Sequence, residues 1–328
     1  MPTLAEAAER LAHLLSGGES SNELSDATNS DLEFLDRVEL QPLERGTAPA
    51  DCWAVDGGQA LVADARCLQV AVTRAARCRW QGGRCTVEDE GELRAHLLAG
   101  ARGGAEGRRS LAELASPVAP DVTVDLNLLR DWSEWQLVAR CIEEADQGAL
   151  LLVDGDLQPD WRVPARWLAS TLQRASERGV ALAGVTKHSS LARGGAPLVG
   201  QLELEAVAAF GPRACWWAPI AQSRSEVGPG LLVTVARLDP DARFAFRVDL
   251  PADADPAALL GHLSALSDDA AFPGYPYPLS IADRLAACPG WLRAEVLDEL
   301  DRALELTGVP EEVRERAFAD RHGLMERA

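Results

Sequence analysis

Apolar positions recur along this chain with two different periods. Residues 3–15, "TLAEAAERLAHLL", carry them at helical spacing, and "SGGESSNELSD" (16–26) then breaks the pattern with glycine and serine. A second short helix is expected around 29–38. From Cys52 to about Val87 the runs "CWAVDGG", "ALVADAR" and "CLQVAVTRA" follow each other with too few residues between them for helices, which predicts an antiparallel meander. "LRAHLLAGARGGAEGRRSLAELAS" reads as helix, Gly/Arg-rich loop and helix, and 128–145 as a longer helix. "GALLLVDGD" (148–156) is a buried strand. "VPARWLASTLQRASERG" is a helix opened by Pro164 and closed by Gly179, and "VALAGVTKHSS" is another buried strand. "LLVTVARL" and "RFAFRVDL" form a hairpin through "DPDA", and helices follow over 256–267, 279–288, 291–306 and 310–322. A meander followed by alternating helices and strands predicts one mixed α/β sheet with helices on its faces. The organisation expected is an N-terminal helical extension over 1–45, a sheet domain over 46–290, and C-terminal helices over 291–328 packed on that domain.

Composition narrows the class. The chain has 328 residues, ample for a sizeable core, and no apolar run of the length a bilayer requires. Its N-terminus is amphipathic and acidic rather than basic and cleavable, so a soluble, cytoplasmic protein is expected. Seven cysteines without a C-x-x-C pair read as reduced core thiols and argue against thiolate metal binding. A formal net charge of −19 argues against a surface that coats nucleic acid, though not against a confined basic channel. Among the 32 basic residues, Lys187 alone is lysine; in an arginine-rich chain that is either chance or a place that needs a compact ammonium.

Candidate chemistry begins with two matching patterns. Asp56 and Asp154 each end an apolar run and are followed by glycine, at the strand ends where open α/β sheets bind ligands. A metal ion, a phosphate or a tight turn would each account for either alone. Glu134 lies in the apolar stripe Leu137, Val138, Cys141 and Ala145 of its helix, and a carboxylate on a core face costs several kcal/mol unless paired or metal-bound. Asp283 lies on the late helix of "FPGYPYPLSIADRLA", where periodicity leaves its orientation open. If these side chains converge, two carboxylates ~4 Å apart repel by roughly 4 kcal/mol at an effective dielectric of 20, which demands a cation or a shared proton. Hard oxygen ligands select Mn²⁺ or Mg²⁺, and two such ions could clamp both oxygens of a phosphodiester displacement. Asp on a first strand, a meander, Glu on a helix and Asp on a later strand is the order of ribonuclease-H-like nucleases.

The set "WAVDGG", "LLVDGDL", "LAGVTKHS" and "GYPYPLSIADRLA", in this order over roughly 45–290, resembles the NurA nuclease family. The resemblance implies a ribonuclease-H-like fold and Mn²⁺-dependent cleavage of DNA, as single-strand endonuclease and 5′–3′ exonuclease. It also implies a homodimer with a central channel, docked on the hexameric ATPase HerA for DNA end resection. By motif, Asp56, Asp154 and Glu134 match the acidic ligands and Tyr275 the tyrosine of the late motif, while Asp283 falls near where some members have histidine. Lys187 lies in the strand-plus-lysine motif, placed to hold the scissile phosphate. Tyr275 is expected to orient the strand by stacking or hydrogen bonding, and Arg109 and Arg193 to contact the backbone. Two other readings share parts of this pattern. One is an actin-like ATPase or sugar kinase, although Gln59 and Ala60 stand where a hydroxyl residue would meet phosphate. The other is a HerA-binding DNA clamp without chemistry.

Overall fold

The structure, a computed structural model, describes residues 3–15, 23–27, 31–100, 103–223 and 230–318. Most of the break expected over 16–26, part of the expected Gly/Arg-rich loop and the end of the helix expected over 310–322 lie outside the described residues. In chain order, α1 (Leu4–Leu15) precedes three short strands, β1 (Leu24–Asp26), β2 (Leu32–Phe34) and β3 (Gln41–Pro42). A meander follows: β4 (Asp51–Asp64), β5 (Leu68–Gln81), β6 (Arg84–Asp89) and β7 (Arg94–Ala99). Then come α2 (Gly104–Glu113), α3 (Leu126–Glu144), β8 (Leu150–Asp154), α4 (Ala165–Arg178) and β9 (Ala181–Thr186). The second half holds β10 (Leu191–Arg193), β11 (Ala196–Pro197), α5 (Leu198–Phe210), β12 (Trp216–Ser223), β13 (Leu231–Arg237) and β14 (Phe246–Pro251). Helices α6 (Pro256–Ala265), α7 (Tyr277–Ala286), α8 (Gly290–Leu306) and α9 (Glu311–Phe318) complete the described chain.

Eleven strands form one sheet in the order β2-β12-β13-β14-β9-β8-β4-β5-β6, with β3 also on β12 and β7 also on β5. Among the described residues, β4–β8 and β8–β9 alone pair in parallel, so the centre of the sheet must be covered on both faces. The sequence of β4 shows this directly. Cys52 and Ala54 face a core built with α6 and α7, whereas Trp53 and Val55 face one built with α3 and α4. Asp125 caps α3 by accepting from the Leu128 N–H at 2.9 Å, and Gly179 ends α4 in the left-handed region at φ 67°. Arg247, 1 % exposed, ties the small β1–β10–β11 sheet to the large one. It donates to Asp249 at 2.8 and 2.9 Å and to Asp26 at 2.8 Å. Among the described residues, no helix is long and apolar enough to cross a membrane.

Several elements differ from the sequence expectation, each for a physical reason. "CWAVDGG" and "ALVADAR" are one strand, because Gly57 and Gly58 stay extended and paired to Ala75 and Arg74 of β5. Asp56 therefore ends a pairing, not a strand. The helix expected around Arg94–Ala99 is β7, whose alternate residues His96 and Leu98 point inward and whose backbone completes the edge of β5. Arg108 and Arg109 lie on α2 rather than in a loop. The helix expected near 29–38 gives way to β2, which pairs with β12. Helix α5 and strand β12 have no clear sequence signature, because α5 is apolar on its exposed side too, at Leu204, Val207 and Phe210. Pro219 interrupts β12, where the ladder shifts register.

Candidate metal centre

The parallel register brings the first two carboxylates together. Val55 stands opposite Val153, and one step further along both strands puts Asp56 beside Asp154, where β8 ends and β4 continues. Asp283 arrives from α7, which packs across β4 and β5. One oxygen from each of Asp56, Asp154 and Asp283 lies within 4.8 Å of the other two. Their burial is graded: Asp56 is 8 % exposed, Asp154 is partly covered, and Asp283 lies at the rim. Three carboxylates at this spacing are a donor set suited to a hard divalent cation, since a single proton cannot relieve all three repulsions.

The protein's own charges make the same point. Burial, reinforced by Asp154 and Asp283 and opposed by Lys187, pushes the pKa of Asp56 up to about 8, although its Oδ1 accepts from the Gly57 N–H at 2.6 Å. The Lys187 ammonium bridges the other two, 2.6 Å from Asp154 Oδ2 and 2.5 Å from Asp283 Oδ1. Burial pulls Lys187 down, but these bonds outweigh it and hold the ammonium above its ordinary value. It is the cation the cluster already holds, at the position a metal would contest. Lys187 also sits 5.2 Å from the ring centre of Tyr275. The Tyr275 hydroxyl is raised well above its usual range by burial and then by Asp154 and Asp56, and it makes no well-formed hydrogen bond. Thr186 Oγ1, at the end of β9 just before Lys187, is likewise buried and unpartnered. Polar atoms left open around a carboxylate group are expected where a ligand completes the site.

Glu134 points inward, 3 % exposed, as its place in the apolar stripe predicts. It approaches over Gly57 from the α3 face and stands outside the group of three. Burial raises its pKa well above the carboxylate range. Arg130, one turn earlier, opposes that shift by donating to its Oε2 at 3.1 Å, while Asp56 and Asp154 add to it. Arg130 also reaches the Gly57 carbonyl at 3.4 Å. This residue was missed in the sequence, and its signal was there: an arginine four residues before a core-facing glutamate is the helix pair that satisfies a buried charge.

The two glycines after Asp56 now have their reason. A Cβ on Gly57 would stand 2.7 Å from Glu134 Oε2, and one on Gly58 would enter the backbone carbonyl of Ala286 at the end of α7. Successive residues of a strand face opposite sides, so the pair lets α3 and α7 close on both faces beside Asp56. Their backbone is extended and paired with β5 rather than looped, which is not the form of a phosphate-cradling turn. Gly58→Ala should lower the melting temperature by several degrees, because backbone rather than a flexible side chain must move. It should also weaken Mg²⁺ binding by displacing Asp283. Calorimetry with and without Mg²⁺ reads both effects, and an unchanged melting point would refute the close approach.

The remaining expected residues separate clearly. The structure does not support a stacking role for Tyr275. Its ring is 2 % exposed and packed against Phe246 and Phe272, so no base can lie on it. Arg193 belongs to β10 and spends its charge on Glu205 at 2.5 Å, in the small sheet rather than at the cluster. Arg109 is exposed on α2 and pairs with Glu106 at 3.3 Å. Neither contacts the carboxylate group.

No known family profile matches the chain, and no curated protein does. Solved structures do. The NurA nuclease from Sulfolobus solfataricus superposes with a TM-score of 0.58 at 14 % identity, covering 93 % of this chain and 95 % of that one. The catalytic domain of human Endonuclease V gives a TM-score of 0.40 at 17 % identity, over 79 % of this chain and 92 % of its own. Endonuclease V from Ciona intestinalis, in complex with an inosine-containing DNA, gives 0.38 at 11 % identity, over 89 % and 98 %. The likeness to the NurA nuclease shows the fold of this chain: the ribonuclease-H-like mixed sheet flanked by helices, in the form seen in that nuclease.

Proposed function

We propose that this protein is a divalent-metal-dependent DNA nuclease of the NurA type. The observation that carries the reading is the meeting of Asp56, Asp154 and Asp283 within 4.8 Å at the end of the central parallel strands. Asp56, Asp154 and Asp283 would hold the metal, with Glu134 as a further acidic group from the α3 side. Bound Mn²⁺ or Mg²⁺, as one or two ions, would supply an acidified water and charge neutralisation at the leaving oxygen. With a divalent ion neutralising Asp154 and Asp283, the Lys187 ammonium that now bridges them would be placed to hold the scissile phosphate. Tyr275 keeps a hydroxyl for Asp154 or for substrate beneath that ammonium.

The finer parts of the proposal come from the sequence resemblance: Mn²⁺ as the working ion, single-strand endonuclease and 5′–3′ exonuclease action, and a homodimer in the cytoplasm. A HerA-type hexameric ATPase would be its partner in end resection and double-strand break repair. Purified protein incubated with linear single-stranded and duplex DNA should release nucleotides with Mn²⁺ or Mg²⁺ and none with EDTA. Intact DNA under every metal condition, together with saturable ATP binding, would replace the nuclease reading with a phosphotransferase one.

A further inference from the structure

Two of the three cluster carboxylates are placed by a sheet and the third by a helix. Asp56 and Asp154 stand on strands whose register is fixed by backbone pairing, whereas Asp283 stands where α7 puts it. Buried Leu279, Ala282 and Ala286 press that helix onto the core, and apolar contact of this kind has no direction. It sets how near the helix comes, not how it turns or slides. The Lys187 ammonium bonds the Asp283 side chain but not the backbone behind it. Metal ligands must hold their distances to within about 0.2 Å, so the turn that carries Asp283 needs a directional tie.

Arg74 supplies one. It lies on β5 directly opposite Gly58, with its side chain only 11 % exposed. Its Nη1 donates to the Leu285 carbonyl at 3.2 Å, in the last turn of α7 and two residues beyond Asp283. A helix has no further N–H of its own for the carbonyls of its last turn, and a cation there also meets the negative end of the helix dipole. The same nitrogen donates to Glu90 Oε2 at 3.2 Å, in the connection between β6 and β7. That connection is itself folded down on β5, since a Cβ on Gly91, at φ 68°, would stand 2.0 Å from the Ala75 carbonyl oxygen. Arg74 therefore joins β5, the β6–β7 connection and α7 at the place where Ala286 closes on Gly58, two residues from Asp56. Its Nε is buried without a partner. An arginine serving only its ion pair could turn its whole fork to the exposed glutamate, whereas this one leaves a donor unsatisfied in order to reach Leu285.

We infer that Arg74 is a positioning residue that locks the last turn of α7 and thereby sets Asp283 at the distance a shared metal ion requires from Asp56 and Asp154. The inference rests on the metal-centre reading of the three carboxylates. Without the tie, Asp56 and Asp154 keep their places and the third ligand drifts.

Mn²⁺ binding, followed by the electron paramagnetic resonance of the free ion, separates this role from general support of the fold. Arg74→Met should weaken Mn²⁺ affinity by roughly tenfold, and Arg74→Lys, which keeps a donor for Leu285, should recover part of the loss. In an Asp283→Asn background the same Arg74→Met change should cost less than about twofold, because no ligand is left to misplace. Hydrogen exchange in EDTA reads the tie without metal. Arg74→Met should speed the amides of residues 285–287 by roughly tenfold and leave those of β13, four strands away from β4 in the sheet, within about twofold. Unchanged Mn²⁺ affinity in Arg74→Met, or an equal loss with and without Asp283, overturns the inference. So does exchange that rises as much in β13 as in α7. Wild-type protein that takes up no Mn²⁺, while exchange in α7 still responds to Arg74→Met, leaves the tie standing and sinks the metal-centre reading instead.

Discussion

Asp56→Asn should abolish metal-dependent DNA cleavage while making the metal-free protein more stable. The substitution keeps shape and removes the most buried member of the acidic group. A loss of about 4 kcal/mol of transition-state stabilisation corresponds to roughly a thousandfold in rate, and removing a metal ligand should reach that. Stability should move the other way. In the absence of metal the folded protein holds a carboxyl among carboxylates, with burial and Asp154 opposing its ionisation. Asparagine carries no charge to suppress. A gain of about 1–2 kcal/mol would raise the melting temperature by several degrees. The opposed signs are the diagnostic, because a residue needed only for packing would lose activity and stability together. Cleavage at the wild-type rate would remove Asp56 from the site. A falling melting point in EDTA would show that the repulsion inferred from the geometry is not there.

The contrast between Asp56 and Asp283 shows what the sequence could and could not disclose. Asp56 and Asp154 were legible because strand residues have only two faces, and an acid at the end of an apolar run has few places to go. Glu134 was legible for the same reason on a helix, since its stripe fixed its direction before any contact was known. Asp283 was not, because its helix has apolar residues on more than one side and only packing across β4 and β5 selects among them. Tyr275 was misread through its chemistry. A tyrosine in a motif can stack or donate, and only the cover supplied by Phe246 and Phe272 excludes stacking. The long β4–β5 hairpin was misread for a related reason. Asp-Gly-Gly carries a turn signal that holds when the backbone is free, and here α3 and α7 hold it extended from both sides. Arginines behaved least predictably, because a long side chain in an acidic protein finds the nearest carboxylate, as Arg193 and Arg109 do.

Metal should stabilise this protein more at high pH than at low, and the sign follows from the raised carboxyl groups. Asp56 moves from 3.8 to about 8 on folding, and Glu134 is raised as well. Burial likewise lifts Asp131 to about 6 and Asp156 to about 7. A group with a raised folded pKa binds its proton more tightly in the folded state, so its stabilisation is complete below the unfolded value and lost as pH rises through the folded one. The metal-free protein should therefore lose stability between about pH 4 and 8. His96 acts in the opposite sense. Burial lowers it to about 4, so it destabilises the fold as pH falls below its ordinary 6.5. The window from 6.5 to 8 isolates the carboxyl effect. A divalent ion must displace the proton from Asp56, so its affinity should rise up to tenfold per pH unit across that window. Tenfold is about 1.4 kcal/mol, enough to enlarge the Mg²⁺-induced shift in melting temperature by several degrees between pH 6.5 and 7.5. Differential scanning calorimetry at fixed Mg²⁺ gives that shift directly, with Asp56→Asn as the control whose pH dependence should be much flatter. A shift that stays constant or shrinks over the same window would mean that Asp56 carries no proton for the metal to displace, and the acidic centre would need another explanation.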